Sequence, residues 1–124
     1  MVTHEIVKEV LKIYSKAWMN KDPEEIITIF TEDATYHERA FEEPHKGHEE
    51  IKKYWRDIVI GEQTEIEFEL LNLYIEGDTA IAEWKAKFHK NNSQKKKVIK
   101  EVAILEFEGN KIKSLREYWH SKEE

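Results

Sequence analysis

The stretch TEIEFELLNLYIEGDTAIAEWKAKFH, residues 64–89, decides the fold of this chain. Apolar and charged residues alternate on both sides of Glu76-Gly77-Asp78, which is the pattern of two antiparallel strands joined by a tight turn. The alternation changes parity at Leu70-Leu71, and such a change predicts a β-bulge that bends the strand. We therefore expect a long, curved hairpin.

The residues that follow extend this hairpin into a meander. Residues 97–107 and 111–119 predict two further strands, joined by a turn at Glu108-Gly109-Asn110. Asn91-Asn92-Ser93 predicts the turn before them. The four long strands are thus expected to form one antiparallel sheet in chain order.

The residues before the hairpin predict helices. Residues 5–20 place apolar side chains at helical spacing, and Asp22 is the expected N-cap of a second helix with Pro23 at its first position. Thr31-Glu32-Asp33 is expected to break this helix before a short strand over residues 34–38. A third helix is predicted over residues 48–58, ended by Gly61.

This order predicts an α+β fold in a single domain over residues 1–124. Three N-terminal helices pack on a strongly curved, mainly antiparallel sheet, and a sheet covered in this way leaves a cone-shaped cavity.

Composition excludes several classes of function. The chain has no cysteine, so disulfides and thiolate chemistry are excluded. The formal net charge is −6, and the basic run Lys95-Lys96-Lys97 is interpreted as a solvated hairpin tip, so no nucleic-acid partner is expected. A charged beginning and the lack of a long apolar window predict a cytoplasmic protein without a membrane partner.

The chain resembles the nuclear transport factor 2-like superfamily, in its SnoaL-like and ketosteroid-isomerase-related branch. The matching segments run in order along nearly the whole chain: Asp22-Pro23-Glu24-Glu25-Ile26, Phe30-Thr31-Glu32-Asp33-Ala34-Thr35-Tyr36, Gly47-His48-Glu49-Glu50-Ile51, Tyr54-Trp55, Phe107-Glu108-Gly109-Asn110-Lys111-Ile112 and Tyr118-Trp119. The resemblance implies a cone-shaped fold and a pocket for a small, largely apolar ligand, used without a cofactor. It does not select one activity, because the superfamily includes isomerases, cyclases, dehydratases, epoxide hydrolases and non-catalytic binders.

The resemblance also implies positions for catalytic residues. Tyr14 matches the oxyanion-hole tyrosine of the ketosteroid isomerases, and Glu38 stands where they have an aspartate base. Ala103 occupies the position of their second oxyanion donor, so steroid isomerisation is not expected. Glu101, two residues away on the same strand face, is a further candidate for the cavity.

The residues themselves support a site around Glu38. Tyr36 and Phe41 flank it, and a carboxylate held against aromatic walls has a raised pKa that suits proton transfer. Tyr14 would donate a hydrogen bond to an oxygen that gains charge. The expected apolar walls are four tryptophans: Trp18, Trp55, Trp84 and Trp119.

Plainer interpretations of the same residues stay open. Tyr14 and any of the tryptophans also fit the hydrophobic core, and Glu38 also fits a solvated loop in which it pairs with Arg39. The function is then one of three: an enzyme with a carboxylate base, a binding module without chemistry, or an association domain. A homodimer through the outer face of the sheet is expected, with Ala80/Ala82/Trp84/Ala86/Phe88 and Val98/Val102/Ile104 as candidate apolar stripes.

Metal and nucleophilic sites are not predicted. His37, His45 and His48 cluster with acidic residues, but the spacing of His45 and His48 is not that of a helical ligand pair. The serines lack a Gly-x-Ser-x-Gly context, and four glycines form no phosphate-binding loop.

Overall fold

The computed structural model describes residues 1–60, 63–90 and 95–124. The predicted helix end at Gly61 and the predicted turn at Asn91-Asn92-Ser93 lie outside these residues. No helix in the described part of the chain is long and apolar enough to cross a membrane.

Helix α1 spans His4–Met19, and its apolar stripe is buried. Thr3 caps it, since its hydroxyl accepts a hydrogen bond from the Ile6 amide at 3.2 Å. Helix α2 spans Pro23–Ile26, and Asp22 accepts hydrogen bonds from the amides of Glu24 and Glu25, both at 3.1 Å. The predicted N-cap at Asp22 is therefore confirmed.

The second helical segment ends earlier than predicted. It continues as a 3-10 turn over Ile27–Ile29, and strand β1 then spans Phe30–His37, so the predicted break at residues 31–33 is wrong. These polar residues belong to strand β1, within which they form an irregular stretch. The register of its pairing with β6 shifts there, between Phe30 and Thr35. The buried side chains of the strand are Phe30, Ala34 and Tyr36.

Helix α3 spans Gly47–Tyr54, directly after the two-residue strand β2, His45–Lys46, which the sequence did not predict. The helix widens into a π-helical turn over Trp55–Ile60. Such turns are rare and occur often at functional sites.

Four long strands complete a six-stranded sheet: β3 Gln63–Glu76, β4 Thr79–Lys90, β5 Lys96–Glu108 and β6 Lys111–Glu123. The order is β2-β1-β6-β5-β4-β3, and β1 runs parallel to β6 while the other pairs are antiparallel. The sheet is thus mixed, and the predicted class of helices packed on a curved, mainly antiparallel sheet is confirmed.

Two irregularities bend β3. One is a register shift between Leu70 and Asn72, which confirms the predicted bulge. The other lies between Thr64 and Glu67, where Glu65 has a φ of 53°, in the left-handed region. Bulges increase local twist and curvature, so β3 bends around the helices.

The sheet has an inner face toward the helices and an outer face away from them. On β4 the inner face carries Ala80, Ala82, Trp84, Ala86 and Phe88, all nearly fully buried. The core cluster joins these side chains to those of α1, α3 and β1. The second predicted apolar stripe lies on the outer face, because Val102 and Ile104 pair with the outward residues Glu83 and Ile81 of β4.

Candidate active site

A cavity of about 320 Å³ lies between the inner face of the sheet, α1 and the π-helical turn. Its apolar walls come mainly from Tyr14, Trp18, Tyr54, Val59, Phe88 and Ile99. Glu101 and Glu117 line it at a buried position, while Arg39 and Lys90 line it where the protein surface is exposed. The cavity therefore has a buried acidic end and an open basic end.

Two carboxyl groups face each other at the buried end. Glu101 pairs across the ladder with Trp119, and Ala103 pairs with Glu117, so the two glutamates are diagonal neighbours on the inner face. Their exposures are only 6% and 7%. Within the described residues, Glu101 Oε2 and Glu117 Oε1 have no hydrogen-bond partner. Buried polar atoms without partners are uncommon and point to a ligand or a catalytic role.

The surroundings of this pair raise both pKa values. Burial is the main cause for Glu101, followed by the charge of Glu117 and a hydrogen bond to it. Burial also raises the pKa of Glu117, to about 7, although hydrogen bonding from Tyr36, Glu101 and Tyr14 acts in the opposite direction. Near neutral pH, Glu117 is therefore close to the midpoint of its titration, and Glu101 holds its proton more tightly than an ordinary glutamate. The pair thus binds and releases protons as a coupled unit.

Two tyrosine hydroxyls lie beside the carboxyl pair. The hydroxyl oxygens of Tyr14 and Tyr36 are 3.0 Å apart, so one hydroxyl donates to the other. Burial is the main cause that raises the pKa of each tyrosine well above its ordinary value. Both therefore remain protonated, and the hydroxyl that does not donate to the other tyrosine has a proton for Glu117 or for a ligand oxygen.

The ring of Tyr14 is fixed by other aromatic rings. Its centroid lies 5.2 Å from that of Trp55 and 5.3 Å from that of Trp84. Both tryptophans are fully buried, and neither belongs to the cavity lining. The structure thus places Trp55 and Trp84 behind Tyr14 rather than in the predicted ligand wall, because their rings fill the core between α1, α3 and β4.

Glu38 follows the end of β1 and lines the same cavity as Tyr14. Its carboxylate oxygens lie 3.4 Å from Arg39 Nε and 3.6 Å from His45 Nε2. Its backbone carbonyl accepts a hydrogen bond of 3.0 Å from Trp119 Nε1. Glu38 therefore belongs to the rim of the cavity, where two neighbours already occupy its carboxylate.

The other predicted residues divide between the cavity and its surroundings. Tyr36, Trp18, Glu101 and Trp119 line the cavity, and Trp18 Nε1 donates to Gln63 Oε1 at 2.8 Å. Phe41 does not, since its side chain is completely exposed on the loop after β1. Proximity in sequence to Glu38 predicted a wall position for Phe41, but the chain turns outward there.

Sequence reasoning missed Glu117, the partner of Glu101. The alternation of Leu115, Glu117 and Trp119 would have assigned it to the inner face if the register of β6 had been known. The tip lysine Lys97 and its neighbour Lys90 were not predicted to line the cavity either, yet both do.

The histidines of the β1–α3 loop have separate partners. His37 contacts the carbonyl of Glu42, His48 the carbonyl of Phe30 at 3.0 Å, and His45 stacks on Tyr54 with ring centroids 4.5 Å apart. No group of three or more potential ligands among the described residues is arranged to hold a metal ion.

Comparison with known proteins gives a family. The model of the SnoaL-like domain matches residues 10–115. A comparison with curated proteins finds no match.

Many solved structures share the fold. One is a putative isomerase from Bacillus subtilis, 20% identical, with a TM-score of 0.84 over 97% of this chain and 90% of that one. A second is a type 2 hexachlorocyclohexane dehydrochlorinase, LinA, 13% identical, with a TM-score of 0.83 over 97% of this chain and 87% of that one. A third is the epoxide hydrolase/cyclase-like enzyme SalBIII, 20% identical, with a TM-score of 0.81 over 97% and 95% of the two chains.

These structural likenesses concern the fold, while the family model covers most of the sequence. The helices, the curved sheet and the cavity between them agree with both findings. The chain therefore belongs to the family of SnoaL-like domains.

Proposed function

We propose that this chain is a cofactor-free enzyme that moves a proton on a small, largely apolar molecule bound in the cavity. The observation that carries the proposal is the buried carboxyl pair, Glu101 and Glu117, which faces the cavity with raised pKa values. A base whose pKa lies near the working pH combines a useful fraction of ionised form with adequate basicity. Glu117 is accordingly the general base.

The arrangement suits abstraction of a proton beside a carbonyl group. Glu117 takes the proton, the electron pair of the broken C–H bond forms a C=C bond, and the carbonyl oxygen becomes an enolate oxygen. The hydroxyl chain of Tyr14 and Tyr36 donates a hydrogen bond to that oxygen. Return of the proton from Glu117 to another carbon completes an isomerisation. Glu101 stays protonated and keeps the second negative charge out of the site.

Glu38 is the competing base, since it matches the catalytic position in related isomerases. Its carboxylate already pairs with Arg39 and His45, and 18% of its side chain is exposed. It therefore lies at the rim of the cavity, whereas Glu117 lies at the buried end. We therefore assign Glu38 to the organisation of the rim, where its charge also raises the pKa of Glu117.

The named activities of structural neighbours support the class of reaction. Three neighbours are named as a putative isomerase, a dehydrochlorinase and an epoxide hydrolase/cyclase-like enzyme, which are classes of reaction in which a base can take a proton. A carboxylate in an apolar cavity serves each of these steps. The cavity of this chain holds such a carboxylate, and no serine is among the described residues that line it.

The test is deuterium exchange of ketones in heavy water, followed by proton NMR. β,γ-Cyclohexenone and its acyclic analogues are the first probes, because isomerisation and exchange both report on the same enolate. We expect Glu117→Gln to lower the rate by about 10²- to 10⁴-fold. The matched variant Glu38→Gln should keep an exchange rate within about tenfold of that of the unchanged protein, because Glu38 lies at the rim and does not take the proton.

The opposite results are informative. If Glu38→Gln lost activity while Glu117→Gln kept it, Glu38 at the rim would be the general base instead of Glu117. Binding of the ketones without exchange or isomerisation would make the chain a ligand-binding module. Neither binding nor exchange with any probe would favour the association domain.

We also propose a homodimer through the outer face of the sheet. Tyr74, Ile81 and Tyr118 are 61%, 40% and 49% exposed there, and cross-strand pairing makes them continuous with Val102 and Ile104. An exposed apolar patch of this kind marks an interface. Sedimentation equilibrium should give twice the chain mass, and Tyr118→Lys should shift it toward the monomer; a monomeric unchanged protein contradicts the proposal.

A further inference from the structure

Two lysines line the open end of the cavity. Lys97 pairs directly across the ladder with the buried Phe88, so it lies on the inner face of β5. Lys90 is two residues beyond Phe88 on β4 and pairs with Gln63. Both side chains contribute to the cavity lining. Inner-face positions on these strands are otherwise mainly apolar, so two cations there are unexpected.

No carboxylate of the described residues neutralises either lysine. Within residues 1–60, 63–90 and 95–124, no ion pair joins Lys90 or Lys97 to a carboxylate. Lysines of the same two strands that face outward behave differently. Lys87 lies 3.2 Å from Glu124 and Lys96 lies 3.2 Å from Glu67. The chain has an excess of acidic residues, with a net charge of −6, so carboxylates are abundant enough to pair every lysine.

The charges of the cavity are therefore separated along its length. The buried end holds the carboxyl pair, and Ile99 lies between Glu101 and Lys97 on β5. The rim also carries Glu38, whose charge is paired with that of Arg39. Lys97 and Glu101 are four residues apart on β5, a distance of about 13 Å between Cα atoms. A molecule that fills this space has its reacting carbon at one end and an anionic group at the other.

We propose that the substrate is an oxo acid of medium chain length, whose carboxylate binds Lys90 and Lys97 while its ketone reaches Glu117 and Tyr14. The position of the reacting end rests on the proposed function; the carboxylate site does not. Two lysine ammonium groups provide two separate positive charges, and each of them donates to one of the two oxygens of a single carboxylate. The cationic rim also attracts an anion toward a protein whose net charge would otherwise repel it.

The test compares an acid with its uncharged ester. The probes are an oxooctanoate with its ketone at the end remote from the carboxylate, and the methyl ester of the same acid. Binding is measured by calorimetry on the Glu117→Gln protein, so that turnover plays no part. We expect the acid to bind about ten- to a hundredfold more tightly than the ester. High salt should reduce this preference.

Variants assign the preference to the two lysines. The double variant Lys90→Met/Lys97→Met should bind acid and ester equally, with the ester affinity unchanged. The matched control Lys87→Met/Lys96→Met removes two outward lysines from the same strands and should keep the preference. Equal binding of acid and ester to the unchanged cavity, a preference that survives in Lys90→Met/Lys97→Met, or no measurable binding of the acid overturns the inference.

The proposed function fails separately. The acid could bind through the two lysines while the protein with Glu117 intact exchanges no proton on the carbons beside the ketone. That result would support the carboxylate site and contradict the catalytic role of Glu117.

Discussion

Glu101 and Glu106 lie on the same strand, β5, and face opposite sides of the sheet. Glu106, on the outer face, is hydrogen-bonded by Arg116, and this contact holds its pKa below the ordinary value. Glu101, on the inner face, forms no ion pair with a cation in the described part of the chain, and burial raises its pKa. The same side chain therefore holds its proton less tightly than usual on one face and more tightly than usual on the other. The face, rather than the residue type, sets the chemistry.

The carboxyl groups of the two faces should make the free energy of unfolding depend on pH in opposite directions. A raised pKa means that the folded protein keeps a proton at pH values where the unfolded chain has lost it. The free energy of unfolding is therefore highest below the pKa of the unfolded chain. It falls as the pH rises from that value toward the pKa of the folded protein. For Glu117, with a pKa of about 7 against 4.5, this amounts to about 3 kcal/mol. Glu101 adds a loss in the same direction.

Glu101→Gln should remove the part of the pH-dependent decrease in the free energy of unfolding that comes from Glu101. The free energy of unfolding of the variant, relative to the unchanged protein, should rise with pH once the pH exceeds the unfolded pKa of a glutamate, with a limiting slope of about 1.4 kcal/mol per pH unit. Urea unfolding at several pH values measures it. The slope of this difference is the decisive quantity, because any constant cost of the amide cancels. A flat difference would show that Glu101 is ionised in the folded protein.

Tyr14→Phe should have an intermediate effect. It removes a hydroxyl that lowers the pKa of Glu117 and leaves the Tyr36 hydroxyl without its partner at 3.0 Å. We expect the pKa of Glu117 to rise and stability to fall by about 1 kcal/mol. Carbon-13 NMR of the glutamate carboxyls follows the titration directly.

The matched control is Tyr118→Phe, since Tyr118 is half exposed on the outer face. It should leave the Glu117 titration unchanged. An equal shift in both variants would mean that the Tyr14 hydroxyl does not act on Glu117.

Glu106→Gln should have the smallest effect, with the opposite sign. A lowered pKa contributes stability above the unfolded pKa, and this is lost as pH falls through the folded one. The Glu106 side chain is 37% exposed, so solvent screens the pair and the loss near pH 7 should stay below about 1 kcal/mol. It should shrink in acid and in high salt. A loss that grows in acid would contradict the assignment.

The fold could be predicted because its signals are local. Alternation and turn residues predicted β3 to β6, the change of parity at Leu70-Leu71 predicted the bulge, and Asp22 predicted a cap. The break at residues 31–33 was wrong, since a polar run within a strand that carries a register shift looks like a loop in the sequence.

The site was only partly predictable because it depends on pairing between distant strands. Glu101 was selected from one strand, but its partner Glu117 becomes visible only when β5 and β6 are aligned. Phe41 shows the converse: it neighbours Glu38 in sequence, yet its side chain is fully exposed. Lys97 belongs to a run that resembles a hairpin tip, and only the register turns it inward.

The parallel pairing of β1 with β6 has a consequence for how the protein forms. Tyr36 pairs with Leu115, and Trp119 donates to the Glu38 carbonyl, so contacts around the cavity join residues that are about eighty positions apart. Contacts of such separation form late, after the cost of closing a long loop has been met. A chain still on the ribosome, with β6 not yet released, has neither Glu117 nor the wall that holds Glu38. The proposed catalytic base is thus in place only after the last strand has paired with the rest of the sheet.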